Sequence, residues 1–420
     1  MALEQVFTYS CTLAKLRSEP LGHLLDNFCD ELLDQGFTRG TIRLHLSHVS
    51  HLNTWLADEK WEWEEHLTQD DVDAFYAAYR LQCRNRGPLE LHLRRNRTSI
   101  NQFCKHLECK SLFEAGKDKP CYEALLSGYL QWMKDRQYAA AGTLKVRRSS
   151  LVKFLNSLGA KATSDGMSEL MPDGVEAFFL DIADTMGNAA RRSMQAALRT
   201  FLRFCYHKGF THLHLDEAVP TLRTYKLARV PRGVDESQAQ TILQSVDCST
   251  PVGRRDYAIL AVLYAYGVRG GQVRALKLSD IDWNNGQILF RATKNGKDSL
   301  LPLTREVGES ILNYLREGRP ACSCPEVFIK SRAPYQSLTK SGTLSAIVSR
   351  YMGADINVSS KGSHAFRHAF ATRKIAEGYS LKAVADVLGH RYLSTTFMYT
   401  KVDFNALSQV AMEWPKEVLS

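Results

Sequence analysis

Asp256-Tyr-Ala-Ile-Leu-Ala-Val-Leu-Tyr-Ala-Tyr266 runs directly into Gly267-Val-Arg-Gly-Gly271. The first stretch is apolar at nearly every position and contains no turn residue, which predicts a buried helix. The glycines behind it allow the backbone to approach a ligand closely. The sequence therefore places Arg269 directly after the end of a buried helix.

Downstream of this helix the pattern changes to that of a small sheet. Gln287–Thr293 and Ser299–Leu303 are short apolar runs, and Asn295-Gly296 between them is a strong signal of a hairpin turn. Helical periodicity then resumes. We expect 233–420 to form a mainly α domain with one small antiparallel sheet.

Upstream, two segments have the composition of linkers. Asp216–Gly233 holds prolines among basic residues, and Phe113–Pro120 is a shorter stretch with glycine and proline. A chain of 420 residues is long enough for two or three domains. The linkers predict domains over 1–112, 121–215 and 233–420.

The first two segments both show apolar residues at helical spacing, which predicts two small helical bundles. They also share a pattern, which we interpret as diverged duplication; independent origin of similar helical periodicity is the alternative. The matched positions are Leu25, Phe28, Leu32 and Phe37 with Leu126, Tyr129, Met133 and Tyr138, Val72–Phe75 with Val175–Phe178, and Ile100 and Phe103 with Leu198 and Phe201.

The charge balance favours a polyanionic partner. Lys and Arg total 54 against 45 Asp and Glu, a net charge of +9. Clusters of these residues on two predicted bundles suit contacts to DNA phosphates, although solvated helix faces often carry similar charges. The candidates are Arg94, Arg95, Arg97, Lys145, Arg147, Arg148, Arg191 and Arg192.

The cysteines and the apolar runs indicate where in the cell the protein acts and whether it holds a structural metal. The ten cysteines include no CxxC pair, so we predict reduced thiols and no structural zinc site. The N-terminus lacks the apolar core of a signal peptide, and no apolar run approaches the ~20 residues of a membrane span. We expect a cytoplasmic protein in the compartment that holds DNA.

Six residues in the last domain form a candidate catalytic set. Each has an ordinary structural explanation when taken alone, but their order over about 130 residues is improbable by chance. They are Arg269, Lys294 at the hairpin turn, His364 and Arg367 in His364-Ala-Phe-Arg-His368, His390 in Leu388-Gly-His390, and Tyr399.

This pattern resembles the catalytic domain of the tyrosine recombinase (phage integrase-like) family. The resemblance is strong over 233–405 and extends to 121–215, which is similar to the family's SAM-like core-binding domain; 1–112 resembles that domain again. The family implies a site-specific recombinase that integrates, excises or transposes a mobile element. It also implies double-stranded DNA as substrate, a synaptic tetramer and nucleoid association, with or without partner recombinases.

The resemblance also implies a role for each residue. Tyr399 is the nucleophile that forms a 3′-phosphotyrosine. Arg269 and Arg367 hold the non-bridging oxygens through charge-assisted bonds, and His364 and His390 assist. Lys294 is the general acid, with Lys297 as the second candidate. Since arginines supply the charge that a metal would, we expect neither a metal nor a nucleotide cofactor.

One position departs from the family pattern. Gln272 stands where the family usually has an acidic residue, so we expect it to modulate catalysis. Two other functions remain open, a type IB topoisomerase and a DNA-binding accessory protein that cuts nothing. Leu407, Val410, Ala411 and Trp414 give 402–420 an apolar helical face, which could pack within the chain or on a neighbouring subunit.

Overall fold

The computed structural model describes residues 2–61, 66–82, 89–114, 116, 120–221, 234–292, 298–338, 341–352, 362–389 and 396. It divides into two compact units. One unit combines Met1–Glu114 with Leu227–Ser420, and the other is Ala115–Lys226. The predicted division into three domains stays a prediction.

The N-terminal segment forms a helical bundle with its own apolar core. Phe28 of the third helix packs edge-on against Phe103 of the sixth, with ring centroids 5.1 Å apart. The helices are α1 (Ala2–Val6), α2 (Ser10–Leu16), α3 (Gly22–Asp34), α4 (Arg39–Asp58), α5 (Gln69–Gln82) and α6 (Leu89–Cys109).

Two short strands close this bundle. β1 (Leu67–Thr68) pairs in parallel with β2 (Phe113–Glu114). The predicted linker over 113–120 is therefore wrong at its start, because Phe113 is partly buried against the bundle core and Glu114 belongs to the strand pair. The glycine and proline in this stretch indicate a linker, but they give no signal for a strand of only two residues.

The second unit is a bundle of α7 (Glu123–Gln137), α8 (Ala141–Leu158), α9 (Pro172–Asp181) and α10 (Asn188–His207). Its core includes Tyr129, Phe154 and Phe201, all fully buried. The core also takes in Val219, and Asp216 accepts a 2.6 Å bond from Arg203. The predicted linker over 216–233 is therefore wrong at its start as well.

The proposed duplication is compatible with these bundles without being tested by them. The matched positions Leu25 and Leu126, and Phe75 and Phe178, are all buried. Tyr138 differs from its counterpart Phe37, because Tyr138 lies in a left-handed turn with 89% of its surface exposed, whereas Phe37 is partly buried.

The remaining part of the first unit is mostly helical. Its central helix contains the sequence Asp256–Tyr266 and is buried as predicted. The helices are α11 (Glu236–Gln244), α12 (Pro251–Tyr266), α13 (Gly270–Ala275), α14 (Arg305–Glu317), α15 (Ser341–Tyr351), α16 (Ser363–Ala376) and α17 (Leu381–Val387).

One antiparallel sheet accompanies these helices. Its strands are β3 (Ile281–Asp282), β4 (Gln287–Phe290) and β5 (Ser299–Pro302), in the order β3-β4-β5. Leu289 pairs with Leu300, which confirms the antiparallel pairing of the predicted hairpin. The Asn295-Gly296 turn lies outside the described residues. Within the described part of the chain, no helix is long and apolar enough to cross a membrane.

Candidate active site

The turn that presents Arg269 is built on a glycine. α12 ends at Tyr266, and Gly267 adopts a left-handed conformation with φ +59°. A Cβ at Gly267 would lie 2.7 Å from the ring of Phe370 on α16. Only glycine therefore allows both this conformation and this close packing. The turn holds Arg269, half-buried, beside α16.

Arg367 is fixed inside the domain rather than on its surface. It lies on α16 and is only 4% exposed. Its Nη1 donates to the carbonyl of Gly267 at 3.0 Å, and its Nη2 donates to the carbonyl of Leu388 at 2.7 Å. These charge-assisted bonds compensate for burial of the guanidinium and join two turns that are distant in sequence.

The Arg269 guanidinium reaches the second of these turns. Its Nη1 lies 3.4 Å from the carbonyl oxygens of both Leu388 and Gly389, and its Nη2 lies 3.3 Å from that of Gly389. Gly389 has φ +60°, a conformation that favours glycine and shapes the turn. The structure thus brings the two predicted arginines together at the residues that lead into His390.

The histidines of α16 differ in environment. His364 is exposed, one turn before Arg367 on the same helix. His368 is partly buried; burial, with the nearby charges of His364 and Arg367, lowers its pKa to about 4. His368 is therefore neutral at physiological pH. The sequence offered no reason to assign a role to His368, because the residue pattern of an amphipathic helix does not show which single position is buried.

Gln272 forms bonds that only an amide can make together. Its side chain is buried, and its Oε1 accepts from the backbone N–H of Arg269 at 3.1 Å. Its Nε2 donates to the carbonyl of Arg291 at 3.4 Å. Arg291 follows β4 and is ion-paired at 2.6 Å with the buried carboxylate of Asp280. Gln272 therefore connects the Arg269 turn to the base of the hairpin.

Several predicted site residues lie outside the described residues. They are Lys294, Lys297, His390, Tyr399 and the segment 402–420. Of the predicted catalytic set, the structure therefore places Arg269, His364 and Arg367, and it places Gln272 in contact with the backbone of Arg269.

The predicted DNA-contacting residues lie on three helices. Arg94, Arg95 and Arg97 are exposed on α6. In the second unit, Lys145, Arg147 and Arg148 lie on α8, and Arg191 and Arg192 on α10. Arg148 is ion-paired with Glu123 at 2.6 Å, and Arg191 donates to Asn188 at 2.7 Å, so both of these side chains have partners within the bundle.

Comparison with known proteins supplies the family. Residues 232–406 match the model of the phage integrase family. The tyrosine recombinase XerD of Ralstonia nicotianae is 30% identical over 278 residues, which cover 64% of this chain and 86% of XerD. This chain belongs to the phage integrase family of tyrosine recombinases. The predicted enzyme class, a tyrosine site-specific recombinase, is thereby confirmed.

The recombinase also has relatives of its own length. A putative integrase/recombinase of Sinorhizobium fredii, y4rF, is 28% identical over 98% of this chain and 96% of its own. Among solved structures, a lambda integrase tetramer bound to a Holliday junction superposes with a TM-score of 0.53, at 16% identity, over 78% of this chain and 85% of that one. The predicted mostly α fold class with a small antiparallel sheet is confirmed.

Proposed function

We propose that the recombinase cuts and rejoins DNA through a covalent bond between Tyr399 and a 3′ phosphate. The observation that carries the proposal is the convergence of Arg269 and Arg367 on the turn that leads to His390. Two guanidiniums placed together can stabilise the charge that grows on the non-bridging oxygens of a phosphodiester under attack.

The chemistry follows from the residues of the site. The phenol oxygen of Tyr399 attacks phosphorus as its proton passes to a histidine of the site, and the bond from phosphorus to the 5′ oxygen breaks. A free phenol has a pKa of about 10, so the nearby positive charges are needed to make the oxygen nucleophilic. Lys294 gives a proton to the departing 5′ oxygen, and His364 and His390 donate hydrogen bonds. Attack by a 5′ hydroxyl on the phosphotyrosine then rejoins a strand.

The fixed base of the hairpin supports this role for Lys294. Asp280 and Gln272 both bind Arg291, which lies three residues before Lys294. A general acid works only within hydrogen-bond reach of the leaving group, so the strand that carries it has to be held relative to the arginines. The two bonds to Arg291 supply such a connection between Arg269 and the hairpin.

We propose double-stranded DNA with specific sites as the substrate, bound by a homotetramer. The solved lambda integrase structure of the same fold is a tetramer on a Holliday junction, which supports this assembly. In this arrangement 121–215 is the core-binding domain, 1–112 is a further DNA-contacting bundle, and the arginines of α6, α8 and α10 contact phosphates. We further propose that the recombinase moves a mobile element and is associated with the nucleoid.

A plasmid assay tests this function against its alternatives. Supercoiled plasmids would carry two copies, one copy or no copy of the DNA ends of the element that encodes the protein. A recombinase yields rearranged circles only from the two-copy plasmid. Relaxation of the plasmid without a site would indicate a topoisomerase instead. Specific binding with neither product, in the presence of any partner recombinase from the same element, would indicate an accessory protein.

A further inference from the structure

The first bundle has a cavity that the catalytic site does not use. It lies between α5 and α6 and has a volume of about 380 Å³. Its lining residues are Tyr76, Arg80, Glu90, Leu93, Arg94 and Arg97.

The wall of the cavity contains a buried donor. The hydroxyl of Tyr76 is shielded from solvent, and its O–H has no acceptor within the described residues; the nearby Arg97 can only donate to it. Burial raises the pKa of Tyr76, so the group stays a protonated hydroxyl at neutral pH. A buried donor that lacks an acceptor destabilises the fold. An acceptor that enters the cavity would remove this penalty.

The charge around this donor is positive. Arg80 and Glu90 form an exposed ion pair at 3.3 Å and largely cancel each other. Arg97 lies over the ring of Tyr76, 4.8 Å from its centroid. Within the described part of the chain, neither Arg94 nor Arg97 has a carboxylate partner. A hydroxyl donor that lines the same cavity as two such cations matches the oxygens of a phosphate group.

We propose that this cavity is a phosphodiester-binding site, in which Tyr76, Arg94 and Arg97 hold one backbone phosphate of DNA. The proposal rests on the proposed function, since DNA is the polyanion that the recombinase would supply. It assigns the first bundle a defined contact to the DNA backbone, separate from the phosphate at the catalytic arginines.

The helix itself supplies a matched control. Arg94 and Arg97 are three apart and line the cavity, whereas Lys105 is exposed on α6 and does not line it. In the full-length protein, the double variant Arg94→Gln/Arg97→Gln is expected to bind an element-end duplex about ten-fold more weakly. The slope of log K against log salt should fall by about 0.9. Lys105→Gln also removes a cation from α6, yet it should change affinity less than two-fold.

Tyr76→Phe separates a binding role from a packing role. It keeps the ring and the charge but removes the hydroxyl. We expect weaker binding of the duplex by about three-fold to ten-fold at an unchanged salt slope, and a Tm that is equal or higher, because a buried unpaired hydroxyl is lost. A lower Tm with unchanged affinity would show that the hydroxyl only serves the fold.

Two further outcomes keep the proposals distinguishable. If the wild type binds and cleaves the duplex but the double variant binds as tightly as Lys105→Gln, the phosphate site is wrong and the recombinase function stands. If the wild type neither binds nor cleaves it, the proposed function itself fails. Inorganic phosphate at constant ionic strength serves as the second probe. Stabilisation of the wild type by phosphate, without any loss of DNA affinity in the double variant, would indicate a site for free anions and contradict the proposal.

Discussion

Arg269 and Arg367 both donate to the carbonyl oxygen of Leu388, at 3.4 Å and 2.7 Å. One arginine comes from the turn after α12 and the other from α16, so a single carbonyl oxygen contacts both guanidiniums. A guanidinium carries five N–H donors, which is more than Arg269 uses here. The same side chain can therefore be oriented by the protein and still bind a phosphate.

We expect substitution of the two arginines by lysine to have different effects on the free energy of unfolding and similar effects on the cleavage rate. Lysine cannot donate in two fixed directions, so Arg367→Lys loses at least one of the bonds to Gly267 and Leu388. We expect a loss of about 2–4 kcal/mol of unfolding free energy, because the charge is buried. Arg269→Lys, half-buried with longer bonds, should lose less than about 1 kcal/mol. Urea unfolding of both variants measures this difference.

Cleavage rates provide the second half of this prediction. Each substitution should slow cleavage about 100-fold or more, since each removes a guanidinium from the charged oxygens. Equal stability losses in the two variants would contradict the buried anchoring of Arg367. A cleavage rate near that of the wild type in either folded variant would contradict its catalytic role.

Gln272→Glu tests the connection between Arg269 and the hairpin. A carboxylate still accepts from the Arg269 N–H but cannot donate to the carbonyl of Arg291. Loss of a hydrogen bond of about 1 kcal/mol predicts roughly five-fold slower cleavage under single-turnover conditions. Gln287→Glu makes the same chemical change at an exposed position of β4 and should leave the rate unchanged. Equal rates for Gln272→Glu and the wild type would remove the modulating role.

The first bundle should lose stability in mild acid. His48 is buried beside Ser99, and burial, together with the charges of His51, His92, His45 and Arg95, lowers its pKa to about 4. The unfolded chain takes up this proton near pH 6.5, before the folded one does. The contribution of His48 is therefore complete above about pH 6.5, and about 3 kcal/mol is lost as the pH falls towards 4.

Urea unfolding between pH 7 and pH 4.5 measures this slope. His48→Gln should flatten it, because glutamine does not titrate, whatever its effect on absolute stability. An identical slope in wild type and His48→Gln would show that protonation of His48 does not control acid stability.

Periodicity and residue order were enough to predict those helices and strands whose apolar residues follow a regular pattern. The apolar run before Gly267 predicted α12, and the runs around Asn295-Gly296 predicted the β4–β5 pairing. The order of Arg269, His364 and Arg367 predicted a cluster, and two of these residues, Arg269 and Arg367, do contact the same carbonyl oxygen. The short β2 strand was missed, because a pairing of two residues leaves no periodic signal.

Contacts between distant backbone groups could not be read from the chain. That Gly267 and Leu388 would offer carbonyls to Arg367 depends on how two turns pack, which is fixed only by the folded core. The same holds for Gln272. The sequence showed an amide where the family usually has an acidic residue. It did not show the second partner of this amide, the carbonyl of Arg291, because the sheet brings Arg291 close only in the folded protein.

Trapping of a covalent adduct tests the central claim most directly. Full-length wild type, Tyr399→Phe and Tyr379→Phe would each be incubated with nicked duplexes that span the ends of the element, together with any partner recombinase. Tyr379 is an exposed tyrosine of the same domain and serves as the matched control. We predict a denaturation-resistant protein–DNA adduct with the wild type and Tyr379→Phe, and none with Tyr399→Phe. An adduct that persists in Tyr399→Phe, or none with a wild type that binds these duplexes specifically, would contradict the account.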